Sequence, residues 1–100
     1  MSWPFADPPN VITYTTVDVI DRGLPIVFVT HNEEDGAWQF HSANGAPADL
    51  SEARLILLKN ILARDPSVAE LADLPLGWYA RRDGAGGAWR RGRKTSRPDP

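Results

Sequence analysis

The chain contains no cysteine, which excludes disulfides and thiolate metal sites as the means of holding it together. That absence permits a reducing compartment without demanding one. The longest aliphatic or aromatic runs, such as Ile26 to Val29 and Leu55 to Leu58, are four residues each, against the roughly 20 that a membrane helix needs. Met1-Ser2-Trp3-Pro4-Phe5 lacks the charged region and apolar run of a signal peptide. No internal repeat is visible. The expectation is a soluble, cytoplasmic protein with no membrane partner, and its 100 residues suffice for one domain with a core of its own.

What is present in charge is unevenly spread. Seven of the eleven Lys and Arg lie beyond Ala80, with only Asp83 and Asp99 to balance them, so that end carries +5 and residues 1–80 carry −7. An acidic body favours a basic protein partner. A basic tail invites polyanions or its own acidic body.

The clearest local instructions lie between Ile61 and Trp78. Asp65 is placed to cap a new helix, Pro66 suits its first position, and Leu74 before Pro75 is pushed out of helical geometry, so a short helix over Pro66 to Asp73 is predicted. Upstream, Ala6 to Asn10 holds two prolines and reads as an extended leader. Val11 to Thr16 reads as a strand, with one helical turn before Gly23. Pro25 opens a second strand over Ile26 to Thr30. Asp35-Gly36 between β-rich runs is a hairpin signal, with Trp38 and Phe40 on the core face and Gln39 and His41 on the other. Ser42 to Asp49 is a surface loop. Residues 50–63 are ambiguous: Asp49 and Glu52 resemble a capping box for one helix, yet Leu55 to Leu58 also suits a buried strand. Trp78 to Arg82 reads as a closing strand and Asp83 to Gly87 as a turn. From Gly92 onward the composition cannot bury anything and reads as disordered.

Few of these residues suggest chemistry. With a two-residue Asp35-Gly36 turn, His31 would pair with Phe40 and Thr30 with His41; one more loop residue would set the two histidines face to face. Glu33 or Asp35 could then complete a metal site, but nothing supplies a second shell. Glu33, Glu34 and Asp35 sit in a row on a turn, whereas catalytic carboxylates oppose each other across a cleft. Ser42, Ser51 and Ser67 lack a nucleophile elbow. Gly84 to Gly87 lacks the Lys-Ser/Thr pair of a phosphate loop. The reading is therefore no enzyme, no metal and no cofactor. For binding, the guess falls on the acidic turn Glu33, Glu34 and Asp35 and on Trp89, Arg90 and Arg91, since tryptophan and arginine dominate many interfaces; Trp89 could instead be the last packing residue of the sheet.

Taken in order, these motifs resemble a family of small uncharacterised bacterial domains. The resemblance rests on an aliphatic strand running into Asp-Gly-x-Trp-x-Phe (Ile26 to Phe40), an Asp-Pro-Ser start and a Leu-Pro-x-Gly segment leading to an Arg (Asp65 to Arg81), and a closing Trp89, and it covers about residues 11 to 90. One related branch is catalogued, from its genomic setting, among immunity proteins that neutralise bacterial toxins. The resemblance thus implies a protein-binding role, and a strand over Arg54 to Leu58 followed by a helical turn over Lys59 to Ala63. The branch carries acidic residues after the hairpin, where this chain has the neutral Ser42-Ala43-Asn44-Gly45.

The combined expectation is an α+β domain over residues 11–91, with an extended leader at 1–10 and a basic tail at 92–100. An antiparallel sheet of four or five strands would carry two short helices on one face. The predicted core is Val11, Ile26, Phe28, Trp38, Phe40, Leu57, Ile61, Leu62, Val68, Leu71, Leu74 and Trp78. The expected function is non-catalytic protein binding of the immunity kind, with a basic protein as partner. Weak nucleic-acid binding through the basic tail is the alternative and an enzyme the third reading.

Overall fold

A computed structural model describes residues 3–45, 47 and 49–93. The fold is α+β. Its strands are β1 (Ile12–Thr16), β2 (Phe28–His31), β3 (Trp38–His41), β4 (Ala53–Leu57), β5 (Trp78–Arg81) and β6 (Arg90–Arg93), in one sheet of order β4-β1-β3-β2-β5-β6. The sheet is mixed: β1 runs parallel to β3, and every other neighbouring pair is antiparallel. The expected wholly antiparallel sheet of four or five strands is corrected on both counts. The chain leaves β1 through α1 (Val17–Ile20), enters β2 as the far strand and turns back, so β3 inserts beside β1 in parallel.

The sixth strand could not be read from composition. Arg90-Arg91-Gly92-Arg93 buries little, and pairing with β5 makes it a strand. Gly92 faces Tyr79, and a Cβ there would come within 2.5 Å of the phenol oxygen, so only glycine lets that ring lie across the neighbouring strand. Gly92 and Arg93, the first residues of the expected tail, are thus paired in β6; 94–100 fall outside the described residues.

The ambiguous segment resolves into strand and helix. A 3₁₀ turn over Leu50–Glu52, capped by the Asp49 side chain, leads into β4, and α2 (Leu58–Arg64) follows directly. Asp65 caps the next turn as read from the sequence, but Pro66–Leu71 winds as a 3₁₀ helix rather than an α-helix. Its side chain accepts from the Ser67 N–H at 3.1 Å and from the Ser67 hydroxyl at 2.6 Å.

Both helices, the second 3₁₀ helix and the leader pack on one face of the sheet. There Val29, Trp38, Phe40 and Ala80 meet Val19, Leu58, Ile61, Val68, Leu71 and Leu74. The leader contributes Phe5, edge-on to Trp38 at 5.2 Å, and Asp7, whose carboxylate accepts from the Trp38 indole N–H at 3.1 Å. Strand alternation corrects two predicted core residues. Val29 and Phe40 are opposed and point inward, so Phe28 points to the opposite face; Leu57, opposed to the exposed Ile12, does the same. Phe5, Val19, Val29, Leu58 and Ala80 join the core instead.

Truncating the two phenylalanines separates the faces. Phe40→Ala is expected to cost about 3–5 kcal/mol, the usual loss for a fully buried ring, and Phe28→Ala about 1 kcal/mol. Urea unfolding followed by tryptophan fluorescence checks both, and equal losses would contradict the assigned faces.

Candidate functional site

The hairpin between the two histidines is longer than the two-residue turn read from Asp35-Gly36. His31 opposes Trp38 and Phe28 opposes His41, with a loop over residues 32–37 between the strands. The Gly36 N–H bonds the Asn32 carbonyl at 2.9 Å and the Asn32 N–H bonds the Ala37 carbonyl at 2.8 Å. Gly36 takes φ of +72° at the loop's exit and Asp35 accepts from the Ala37 N–H, so Asp-Gly closes a wider turn rather than forming its centre. The register therefore puts His31 and His41 on opposite faces and at opposite ends of the hairpin. His31 stacks on Trp38 at 3.9 Å and its Nδ1 lies 2.8 Å from the Leu74 carbonyl. His41 is buried, with Nε2 3.0 Å from the Gln39 side-chain oxygen. Among the described residues no group of three or more His, Cys, Asp or Glu is placed to hold a metal ion.

Ser42, Ser51 and Ser67 are each hydrogen-bonded to an aspartate. The Ser42 hydroxyl donates to Asp18 at 3.3 Å, Ser51 is bonded to Asp49, and Ser67 to Asp65. Asp18 organises the loop after β3: it accepts from the Asn44 amide at 2.8 Å and from Arg22 at 2.7 Å. Those bonds, Asn44's foremost, hold its carboxyl below the usual 3.8.

The guessed binding residues do not converge. Glu33, Glu34 and Asp35 are exposed on the β2–β3 loop, at the end of the sheet where His31 meets Trp38 and Trp78. Trp89 and Arg90 lie toward the other end, since Arg90 opposes Arg81 and Arg81 opposes Phe28. Arg90 pairs with Asp83 at 3.1 Å. Arg91 pairs with Asp73 at 2.7 Å and also donates to the Glu70 carbonyl, drawing the Asp73 carboxyl below its usual value.

Trp89 is half-buried against Arg82, whose guanidinium lies 4.1 Å from the ring centroid. The indole N–H is buried and has no acceptor among the described residues, so the ring acts through its face. Arg82, which the sequence analysis did not single out, is buried, and each of its three nitrogens donates a hydrogen bond. It donates from Nε to the Ile26 carbonyl at 2.9 Å, to the Ser67 hydroxyl at 2.8 Å and to Asp65 at 2.5 Å. Alternation carries the signal: Ala80 points into the core and Arg81 to the other face, which returns Arg82 to the covered side.

Among the described residues, the other face of the sheet has no helix on it. On β1 and β4, Ile12, Tyr14 and Leu55 are 56%, 42% and 65% exposed, and they neighbour each other through the pairs Ile12↔Leu57 and Tyr14↔Leu55. Parallel pairing of Tyr14 with Gln39 puts Ile12 at the same end of the sheet as the acidic loop. Toward β5 and β6 the face becomes aromatic and cationic, with Arg81 lying 5.2 Å from the Phe28 ring and 5.9 Å from the Tyr79 ring. No strand residue on this face is Asp or Glu, although the chain has thirteen of them.

Comparison with family models, with curated proteins and with solved structures returned no match. Among the described residues no helix is long and apolar enough to cross a membrane.

Because the folded Asp18 carboxyl titrates below 3.8, the stability it lends the 42–44 loop is complete above that value and is lost as pH falls through the lower folded value. An NMR titration is expected to show the Ser42 and Asn44 amides moving together below pH 3.8, with the movement abolished in Asp18→Asn. Movement centred above that value would contradict the assigned bonds.

Proposed function

We propose that the chain is a non-catalytic protein-binding module that uses the helix-free face of its sheet. The observation that carries this reading is the exposed apolar cluster Ile12, Tyr14 and Leu55, on a sheet face with no Asp or Glu among its strand residues and at the same end as Glu33, Glu34 and Asp35. A large exposed apolar patch with a charged border is the usual mark of an interaction site. A partner with an apolar centre and a basic rim fits it. Neutralising a bacterial toxin, the role that the resemblance implies, is one form such binding takes, and fold-level likeness enters here by analogy only. The engagement of Ser42, Ser51 and Ser67 by aspartates, and the stacking of His31 on Trp38, support the non-catalytic reading.

A second reading has its own observation. Arg81 and Arg90 stand abreast on the open face beside Phe28 and Tyr79, and cations interleaved with aromatic rings suit single-stranded nucleic acid. Such binding would be weak and would fall steeply with salt.

The test is capture from the lysate of the source cell on immobilised chain, with stepped salt washes, comparing wild type with Tyr14→Asp and Arg81→Glu. One stoichiometric basic protein, retained by wild type and lost by Tyr14→Asp, is the expected outcome. Retention of that protein by Tyr14→Asp would remove the open face from the account. Recovery of nucleic acid alone, lost by Arg81→Glu, would replace the protein-binding reading with the second one.

A further inference from the structure

The two edges of the sheet are built oppositely. β6 carries Arg90, Arg91 and Arg93, the kind of like-charged edge that opposes further strands. β4 carries Ala-Arg-Leu-Ile-Leu, with no proline and one cation. Its free backbone groups follow from one bond. The Leu58 N–H donates to the Val11 carbonyl at 2.9 Å, in the same antiparallel register as Ile12↔Leu57. Ladder alternation then turns the backbone groups of Ile56 and Arg54 toward β1, and those of Ala53, Leu55 and Leu57 toward the open edge.

Some of those outward groups are already used. The Ala53 N–H donates to the Leu50 carbonyl. Leu57 is the N-cap of α2, so its carbonyl accepts the first helical bond. The Ala53 carbonyl takes one bond from Arg54 at 2.9 Å and keeps a second lone pair. Among the described residues, the edge is left with the N–H and carbonyl of Leu55, the N–H of Leu57 and one lone pair on Ala53.

We propose that this edge pairs with the same edge of a second copy of the chain, antiparallel about a two-fold axis through Leu55. In that register Leu55 exchanges both backbone bonds with Leu55 of the second copy. Each Leu57 N–H meets the Ala53 carbonyl of the other copy. The two ladder positions left over, the Ala53 N–H and the Leu57 carbonyl, are the ones already used within each chain. Neighbouring registers fit worse. An axis through Ile56 aims the Leu55 N–H at the occupied Leu57 carbonyl, and an axis through Arg54 sets the Leu55 carbonyl against the occupied Ala53 N–H.

The side chains agree with the backbone. Leu55, the most exposed strand hydrophobe on the open face, meets its copy across the axis, with Tyr14 and Ile12 on the next strand of each chain. No charge on that face lies near the axis, and on the covered side Arg54 comes opposite Ile56 rather than another Arg54. Self-complementarity of the free groups makes a second copy, rather than a strand of another protein, the occupant. The dimer shares Leu55 with the partner-binding reading but does not rest on it, because it is argued from the backbone groups at the edge of β4 and is read from the mass of the chain alone.

Sedimentation velocity over a concentration series is the test, on the full chain and on Leu55→Lys. That substitution puts two like charges side by side at the axis, and the exposure of Leu55 lets the fold persist, as circular dichroism will show. Wild type is expected to reach twice its monomer mass, and Leu55→Lys to stay monomeric. Since the chain has no cysteine, Leu55→Cys offers a second measurement. Opposed residues of a hydrogen-bonded antiparallel pair lie about 5.5 Å apart at Cα, within disulfide reach, so mild oxidation should link Leu55→Cys into a covalent dimer and leave Ala43→Cys largely unlinked. A wild-type chain that stays monomeric at every concentration would overturn the proposal. So would a dimer that Leu55→Lys leaves intact, equal cross-linking at both positions, or an edge occupied by a strand of another protein.

Discussion

Arg82 is the side chain on which the arrangement of this fold turns. A buried guanidinium is costly to desolvate, and it is tolerated only when its donors find acceptors. Here it reaches three parts of the chain at once: the Ile26 carbonyl just before β2, the Ser67 hydroxyl, and Asp65 at the cap of the 3₁₀ helix. The flat side of the group is covered by Trp89, which leads into β6. One residue thereby fixes the last two strands against the turn that carries Val68 and Leu71 into the core. Arginine suits this position and lysine does not, because a planar fork with several donors is needed to serve three acceptors while stacking on an indole.

That node explains which parts of the fold were legible in the sequence. Asp65-Pro66-Ser67 was readable because capping and proline placement act over three residues and need no knowledge of the rest. The assignment of Trp38 and Phe40 to the core face held for the same reason, since alternation along one strand is a local rule. The break between β4 and α2 followed from the family resemblance, where periodicity alone was undecided. Register was not legible. The relation of His31 to His41 depends on how Asn32 closes its loop with Ala37, and a single added residue reverses every face beyond it. The same one-residue sensitivity separates Arg81, lying over Phe28 on the open face, from Arg82 in the core. β6 was hidden because its residues carry almost no apolar signal, and its existence depends on β5 offering an edge.

The candidate surface follows from the same packing. The leader, both helices and the second 3₁₀ helix are spent on one side of the sheet, and the Arg82 node locks the β5–β6 end to that side. Among the described residues no helix covers the opposite face. Its two zones differ in chemistry, aliphatic over β4 and β1 and aromatic with arginine over β2, β5 and β6. None of its strand residues is an acid, so Glu33, Glu34 and Asp35 and the Asp83 that pairs with Arg90 lie at its border.

The most direct test of the central claim is a double-mutant cycle on Asp65→Ala and Arg82→Met, read by equilibrium urea unfolding. Asp65→Ala strands a buried guanidinium and Arg82→Met leaves a partly exposed carboxylate without its cation; Arg82→Met is expected to cost about 3 kcal/mol. If the two act as one unit, the double variant is little worse than Arg82→Met, with a coupling energy above about 1.5 kcal/mol. Additive losses, agreeing within about 0.5 kcal/mol, would show that Arg82 and Asp65 stabilise the fold separately and would contradict the node.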